Sequence, residues 1–496
     1  MDEYFLNSIN WQDLVREYRQ KYLSNRFKEN KSSYQYQPVG VPVFPRDIQL
    51  RNYQHQAVLS WLENRGRGTL KMATGSGKTI IALAIATELY KQIGLQVLLV
   101  VCPYRHLVSQ WARECRKFNL QPIIAMMRVE NWQSELSTQL YNLRTGDYGT
   151  RSDKAESSFL TIITTNLTLI NQGFQSQLKY FPAKTLIVGD EAHNLGSARL
   201  ESSLPRNIGL RLALSATPER HFDDEGTDAL LNYFGSIIQP EFTLADAIKQ
   251  GALVPYLYYP VFVRLTESES FTYAKLTKRI GWSLNKNPNW EQNDNLTALL
   301  TKRSRLIGTA ANKLVILKEL MATRLNTSHT LFYCGDGYIE DYTSTYKRQI
   351  EAVTHILGKE LGYRVNTYTT DTSLEARERL RQQFELGELQ GLVAIRCLDE
   401  GIDIPAIKTA IILASSSNPR QFIQRRGRIL RPYPGKKQAT LFDTIVIPPN
   451  LDRETWEVER NLLRKELKRL ITFAELATNA KKAIDKLLQL QEQYQL

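Results

Sequence analysis

Two short stretches carry side chains whose types and spacing suit phosphoryl transfer. The segment Met72-Ala-Thr-Gly-Ser-Gly-Lys78-Thr79 sets Gly75 and Gly77 just ahead of a lysine and a hydroxyl. Glycines there let the backbone N–H groups of Thr74 to Gly77 face phosphate oxygens, with Ser76 among them. A helix starting at Thr79 points its positive end at the same oxygens. Lys78 can reach the β- and γ-phosphates of a nucleotide, and the Thr79 hydroxyl can bind Mg²⁺. The full G-x-x-x-x-G-K-[ST] pattern would carry Gly at position 72, where this chain has Met. Farther along, Asp190-Glu191-Ala192-His193 follows the apolar run Leu186–Val188. Its acids therefore fall at the carboxyl end of a strand, where open α/β sheets bind ligands. Asp190 suits Mg²⁺ held through water, and Glu191 suits the metal's surroundings and the orientation and deprotonation of an attacking water. An acid pair alone would also suit a helix N-terminus; the upstream glycine loop favours chemistry.

Such residues work together only if regular elements deliver them to one edge. From about residue 47 to 245, β-branched runs (Val97–Val101, Phe159–Ile163, Leu186–Val188, Leu210–Leu214) alternate with helical stretches. The runs are continuously apolar, as parallel strands buried on both faces must be. The pattern returns between about 311 and 448, with strands expected at Thr330–Tyr333, Leu392–Ile395, Ala410–Leu413 and Thr440–Phe442. Between the two lies an apolar connector, Leu253–Tyr259, followed by basic helical stretches at Tyr273–Ile280 and around Lys302–Lys313. These read as a helical insert. After Pro448 and Pro449 the chain turns helical, with Leu463, Leu467 and Leu470 on one face. Residues 1–46 hold a helix-like stretch near Trp11–Leu23 and then a polar loop, and their role is not legible.

The formal net charge of +13 over 496 residues favours a polyanionic partner, because neutralising phosphates drives sequence-independent binding. From Ser415 to Thr440 seven basic residues (Arg420, Arg425, Arg426, Arg428, Arg431, Lys436, Lys437) occur with no acid, which reads as an anion-facing surface. The four cysteines, Cys102, Cys115, Cys334 and Cys397, form no C-x-x-C pair, so neither a zinc site nor a disulfide framework is expected. No apolar run approaches the ~18–20 residues of a membrane span. The start, Met-Asp-Glu-Tyr-Phe, lacks the layout of a signal peptide. A soluble, cytoplasmic protein with no membrane partner is the expectation.

Taken in order from about residue 50 to 435, these stretches resemble the superfamily-two helicases and translocases of DEAH type. The resemblance implies an α/β fold: two RecA-like parallel-sheet domains in tandem, with a helical insert and a helical C-terminal extension. It implies ATP and Mg²⁺ as cofactors, with ATP hydrolysed in a cleft between the two lobes. Leu50-Arg51-Asn52-Tyr53-Gln54 looks like the segment in which Gln54 reads the adenine with Arg51 nearby. Cys102-Pro103 with Leu107, Gln110 and Trp111 looks like a motif contacting the nucleic-acid backbone, which brings in Pro103 and Arg105. Thr164-Thr165 looks like a second such contact. Ser215-Ala216-Thr217-Pro218 matches the motif that, with His193, couples nucleotide state to strand grip. In the second lobe, the segment Arg396 to Pro405 matches the motif in which Gly401 and Asp403 face the ribose side and nucleic acid. Gln421 to Arg431 matches the final motif, with Arg428 and Arg431 as arginine fingers supported by Gln424 and Arg425. A finger on the opposite lobe can contribute ~10³–10⁵ in rate and ties hydrolysis to closure. Trp111 is expected in the core or as a wedge.

The final motif reads Q-x-x-Q-R-x-G-R-x-x-R, and Leu244–Tyr256 resembles the equivalent segment of excision-repair, phage recombination and restriction-enzyme motors. Double-stranded DNA is therefore the expected partner, with RNA remodelling or an ATP-gated clamp as alternatives. No nuclease constellation stands out, so a nuclease or other protein partner would supply any cleavage. The expected domains are an N-terminal extension (1–46), an ATP-binding domain (47–245), a connector and helical insert (246–310), a C-terminal helicase domain (311–448) and a helical extension (449–496).

Overall fold

The computed structural model describes residues 2–23, 39–127, 129–145, 159–220, 223–286, 294–340, 346–369, 372–395, 404–414 and 426–495. The chain divides into two compact units, Met1–Asp246 and Ala247–Leu496.

The first unit is built on a six-stranded sheet. Its strands are β1 (Arg67–Lys71), β2 (Val97–Cys102), β3 (Pro122–Ala125), β4 (Leu160–Thr165), β5 (Thr185–Asp190) and β6 (Leu210–Ser215). Their order is β1-β6-β5-β2-β4-β3, and every pairing is parallel. All residues of β2, β4, β5 and β6 are buried, as their unbroken apolar sequences require. Because every strand runs the same way, all carboxyl ends meet at one edge, with Lys71 of β1 opposite Ser215 of β6 and Asp190 of β5 opposite Leu214. Register thus gathers segments that lie far apart in sequence.

Helix α1 (Trp11–Leu23) gives the N-terminal segment a definite place. It packs on α2 (Asn52–Glu63) and α3 (Lys78–Ile93). The Tyr18 hydroxyl meets His55 Nδ1 at 2.9 Å, the Tyr22 ring lies 4.5 Å from that imidazole, and Lys21 pairs with the buried Glu88 at 2.6 Å. Helix α4 (Arg105–Lys117) follows β2.

The second unit holds another all-parallel six-stranded sheet. Its strands are β7 (Tyr256–Arg264), β8 (Thr330–Cys334), β11 (Val365–Tyr368), β12 (Gly391–Ile395), β13 (Thr409–Ile412) and β14 (Ala439–Ile447), in the order β11-β12-β8-β13-β14-β7. A short antiparallel pair, β9 (Tyr338–Glu340) and β10 (Tyr346–Arg348), stands apart from it. The stretch read as a connector is thus in part an edge strand: Tyr256 to Arg264 pairs along the whole of β14. Its aromatic, alternately buried sequence fits a pleated edge as well as it fits a linker.

Helices α5 (Glu267–Lys286) and α6 (Asp294–Gly308) pack through Leu276, Ile280, Leu296 and Leu299. Val458 of α7 (Arg453–Glu475) packs against that cluster. Insert and C-terminal extension therefore share one small core. An ion pair of Arg303 with Glu459 at 2.9 Å, both buried and joined by the Tyr273 hydroxyl, locks the same junction. Cys102, Cys115 and Cys334 are buried free thiols, and burial pushes the Cys115 thiol up to about 12. Cys397 lies outside the described residues. Among the described residues no helix is long and apolar enough to cross a membrane, and no group of His, Cys, Asp and Glu could hold a metal on its own.

Candidate nucleotide site and arginine turn

The loop after β1 turns through Gly75 and Gly77, at φ of 85° and 82°, a left-handed backbone that L side chains rarely adopt. At Gly77 the demand is also spatial, since a Cβ there would sit 2.3 Å from Gln54 Nε2. Gln54 braces the loop from below. Its Nε2 donates to the Ser76 carbonyl at 3.0 Å, and its Oε1 accepts from the Arg51 N–H at 2.9 Å. The Tyr53 hydroxyl donates to the same Ser76 carbonyl, and the Tyr53 ring stacks on Phe242 at 3.9 Å. Lys78, nearly buried, donates to the carbonyls of Met72 (2.9 Å) and Ala73 (3.2 Å), so its ammonium curls back over the loop. Met72 gives a backbone carbonyl to Lys78 and an N–H to Ser215 O at 2.9 Å, roles that any residue's backbone can fill, and its side chain is buried.

Three buried hydroxyls in this neighbourhood, Thr74 Oγ1, Ser76 Oγ and Thr217 Oγ1, have no hydrogen-bond partner. A buried hydroxyl left without a partner costs ~1–3 kcal/mol. Together with the turned glycines, these hydroxyls fit a phosphate-bearing ligand and the cation that accompanies it. Thr79 stands partly exposed at the start of α3.

Asp190 ends β5 with both oxygens engaged. Trp111 Nε1 donates to Oδ2 at 2.8 Å, and the Glu191 N–H donates to Oδ1 at 3.0 Å. Burial, and then the charge of Glu191, push the Asp190 carboxyl upward, while the Trp111 bond and Lys78 oppose that shift. A divalent cation would offset the same penalty. Trp111 is fully buried and joins two expected motifs through one hydrogen bond, a role missed when it was read as core or wedge. Only an indole in the second turn of the helix that follows β2 could have hinted at it.

Glu191 sits at φ 44°, ψ 50°. A left-handed glutamate of this kind costs on the order of 1–3 kcal/mol and persists where its surroundings hold it. His193 follows, with Nδ1 at 3.1 Å from Ser215 Oγ and at 3.7 Å from Glu191 Oε2. Asn194 Nδ2 donates to His193 Nε2, so the ring proton lies on Nδ1 and is donated to Ser215. Ser215 Oγ also accepts from the Thr217 N–H at 3.1 Å. Arg220, which the sequence reading passed over, donates to the His193 carbonyl and pairs with Asp223 at 2.5 Å. The edge therefore forms one connected chain: Lys78 and Met72, then Ser215, His193, Asn194, Glu191, Asp190 and Trp111.

Pro103 and Arg105 sit where β2 passes into α4, and Arg105 is exposed. Thr164 and Thr165 differ from them. Thr164 Oγ1 donates to the Ala125 carbonyl at 2.9 Å, and Thr165 Oγ1 caps the next turn by accepting from the Thr168 N–H at 3.2 Å. Both residues are buried, which leaves no exposed hydroxyl for a strand.

In the second unit, Gly401, Asp403, Gln424 and Arg425 lie outside the described residues. Residues 426–429 form a helical turn that carries Arg428, buried, and Arg431 follows it, partly buried. The basic run is not a uniform anion-facing surface. Arg426 is buried, pairs with the buried Asp443 of β14, and lies 4.5 Å over the Phe473 ring of α7. Tyr258 of β7 donates to the same carboxylate at 3.0 Å. Lys436 is buried too and donates to the carbonyls of Ile429 (2.6 Å), Arg431 (2.8 Å) and Pro405 (3.0 Å). These cations hold the turn in place. Charge counting could not tell a structural cation from a ligand-facing one.

Residues 47–220 match the family described as type III restriction enzyme, res subunit, and residues 341–433 match the helicase conserved C-terminal domain. The chain belongs to the superfamily-two helicases and translocases. It is an ATP-hydrolysing enzyme of that family, related to repair and restriction motor subunits. A DNA 3'-5' translocase XPB2 from Sulfurisphaera tokodaii is 26% identical over 82% of this chain and 83% of its own length. Seven further curated relatives are 24–27% identical, and the chain spans 51–65% of their length. Among solved structures, a type ISP restriction-modification enzyme, LlaBIII, bound to DNA is similar over 87% of this chain and 31% of that one, at 18% identity and a TM-score of 0.54. The Hef helicase domain of Pyrococcus furiosus is similar over 84% of this chain and all of that one, at 19% identity and a TM-score of 0.50. At such identities the likeness speaks to fold alone: two RecA-like parallel sheets in tandem.

Proposed function

We propose that the chain is a DNA translocase or helicase whose first unit holds ATP on the β1–β6–β5 edge. One observation carries this reading. A curled lysine, two left-handed glycines, partnerless buried hydroxyls and the Asp190–Glu191 pair all stand at adjoining strand ends. In this reading the loop amides and Lys78 bind the triphosphate, Gln54 with Arg51 sits on the adenine side, and Thr79 and Asp190 hold Mg²⁺. Mg²⁺ would neutralise charge on the phosphate oxygens. Glu191 orients the attacking water and takes its proton. Arg428 and Arg431, with Gln424 and Arg425, complete the site from the second unit, and Gly401 and Asp403 serve the ribose side and nucleic acid. His193, Ser215 and Thr217 pass the state of the nucleotide to Pro103 and Arg105 on the strand-gripping side.

DNA as the substrate rests on what the relatives are named for, the translocase of Sulfurisphaera tokodaii among them, and on the net charge of +13. In a restriction or phage-defence assembly a partner would supply the nuclease, and purification from its source with no nuclease attached would count against that role. The deciding experiment compares ATPase rates with duplex DNA, single-stranded DNA and RNA at matched salt. DNA stimulation is expected, and it should vanish in Lys78→Ala while DNA binding remains. Stimulation by RNA alone would sink the DNA reading, and nucleotide-dependent binding with no turnover would make the chain a clamp.

A further inference from the structure

Helix α5 carries a face that neither the nucleotide site nor the core uses. Lys275, Lys278, Arg279 and Trp282 recur at the spacing of one helical face, covering ~10 Å of axis at 1.5 Å per residue. They line an open groove of about 750 Å³, floored by Leu299 of α6, with Asn295 at its side. Trp282 is 58% exposed, the opposite of the buried Trp61 and Trp111. Lys278 Nζ lies 5.7 Å over the Trp282 ring, so the cation tilts toward the indole's π-face. Phe271, 73% exposed, continues the same face toward the helix start. Of the two acids in the first turn of α5, Glu269 is spent on the backbone N–H groups of Thr266 and Ala311, and Glu267 lies two turns before Lys275 at the helix start. Asp452 lies 3.9 Å from Lys278, and both members of that pair are largely solvated.

An exposed indole costs solubility and adds nothing to the core, whose contacts here are Leu276, Ile280, Leu296 and Leu299. Three cations beside it exclude an apolar peptide and select a polyanion. Duplex DNA offers such a stripe phosphates but no free base face, because its bases are stacked on one another. An unpaired strand offers both, with phosphates for Lys275 and Arg279 and a base to stack on Trp282. We infer that this groove binds single-stranded DNA, gripping a few nucleotides of one strand independently of the nucleotide site.

This rests on the DNA-motor reading, and the test separates the two. The full chain, without nucleotide, is titrated with labelled oligothymidylate and with a labelled duplex. Trp282→Ala should weaken single-strand binding roughly 5- to 150-fold and leave the duplex nearly unchanged. Trp282→Phe should recover most of the loss. Lys275→Gln with Arg279→Gln should lower the salt slope of single-strand binding by about 1.4, at ~0.7 per lost phosphate contact. ATPase activity without DNA should be unaffected in all three. Unchanged single-strand affinity in Trp282→Ala, with DNA-stimulated turnover intact, overturns this inference alone. An equal loss on duplex overturns its single-strand selectivity. If the unaltered chain binds no DNA, both readings fall.

Discussion

The carboxyl edge of the first sheet and the arginine turn of the second unit are both rich in charge, yet they are built on opposite plans. At the first edge, Thr74, Ser76 and Thr217 keep buried hydroxyls without partners, and Glu191 is held left-handed. At the turn, Arg426 finds Asp443, Tyr258 and Phe473 inside the protein, and Lys436 finds three carbonyls. The first arrangement carries local cost that a ligand can relieve. The second uses charges as internal struts, where each must be paired because an orphaned buried charge is ruinous. One region is therefore expected to lose function without losing stability when altered, and the other to lose stability first.

Glu191→Gln tests the first half most severely. Removing a general base should lower ATP turnover by ~10²–10⁴, while nucleotide binding and thermal unfolding stay at the unaltered level. A fall in melting temperature of the kind expected for a core lesion would break the comparison. Arg426→Met tests the second half. It leaves the Asp443 carboxylate buried without its cation, with the Tyr258 hydroxyl still donating to it, at ~3–5 kcal/mol, read as a lowered denaturation midpoint. Adding Asp443→Leu should recover most of that stability, as an apolar pair of similar volume replaces the ion pair. If the double variant is as unstable as the single one, the pair is not the strut proposed here.

That contrast also marks how far the sequence could be read. Parallel strands announced themselves, because burial on both faces forces unbroken runs such as Val97–Cys102. The glycine loop and Asp190-Glu191 were legible because their chemistry fixes residue type and spacing together. Tyr256–Arg264 was not, since an edge strand with alternating burial looks like any aromatic linker. Arg426 and Lys436 were misplaced for a different reason. A cation's type is the same whether it faces phosphate or a buried carboxylate, and only the fold brings Asp443, far along the chain, beneath Arg426. Trp111 hid in the same way, since nothing local announces that an indole N–H will meet Asp190.

Trp111→Phe sharpens the comparison within the first edge. It keeps an aromatic ring at that core position and deletes the donor to Asp190 Oδ2. Partners that orient a metal-binding carboxylate are worth ~10–100-fold in metal affinity. The Mg²⁺ concentration for half-maximal ATPase activity should rise within that range, with the melting temperature little moved. An unaltered Mg²⁺ requirement would return Trp111 to a purely structural place.

The smallest effect is expected at the back of the same unit, where α1 meets α2. Burial holds the His55 imidazole down at about 4, below its ordinary 6.5, beside Tyr18 and Tyr22. The unfolded chain takes up a proton near pH 6.5, whereas the folded chain resists until about pH 4. Stability from this group is therefore complete above about 6.5, falls as pH drops through the interval, and levels off below about 4. Relaxation around the ring and water reaching it on protonation would take up part of the full penalty, so the swing is on the order of 1 kcal/mol. His55→Gln removes the titrating group and should flatten that part of the pH–stability curve. If the slope between pH 6.5 and 4 is the same in both proteins, the docking of α1 does not depend on a neutral His55. The N-terminal helix would then hold through its buried Trp11, Leu14 and Tyr18 and the pairs Lys21–Glu88 and Arg19–Glu63.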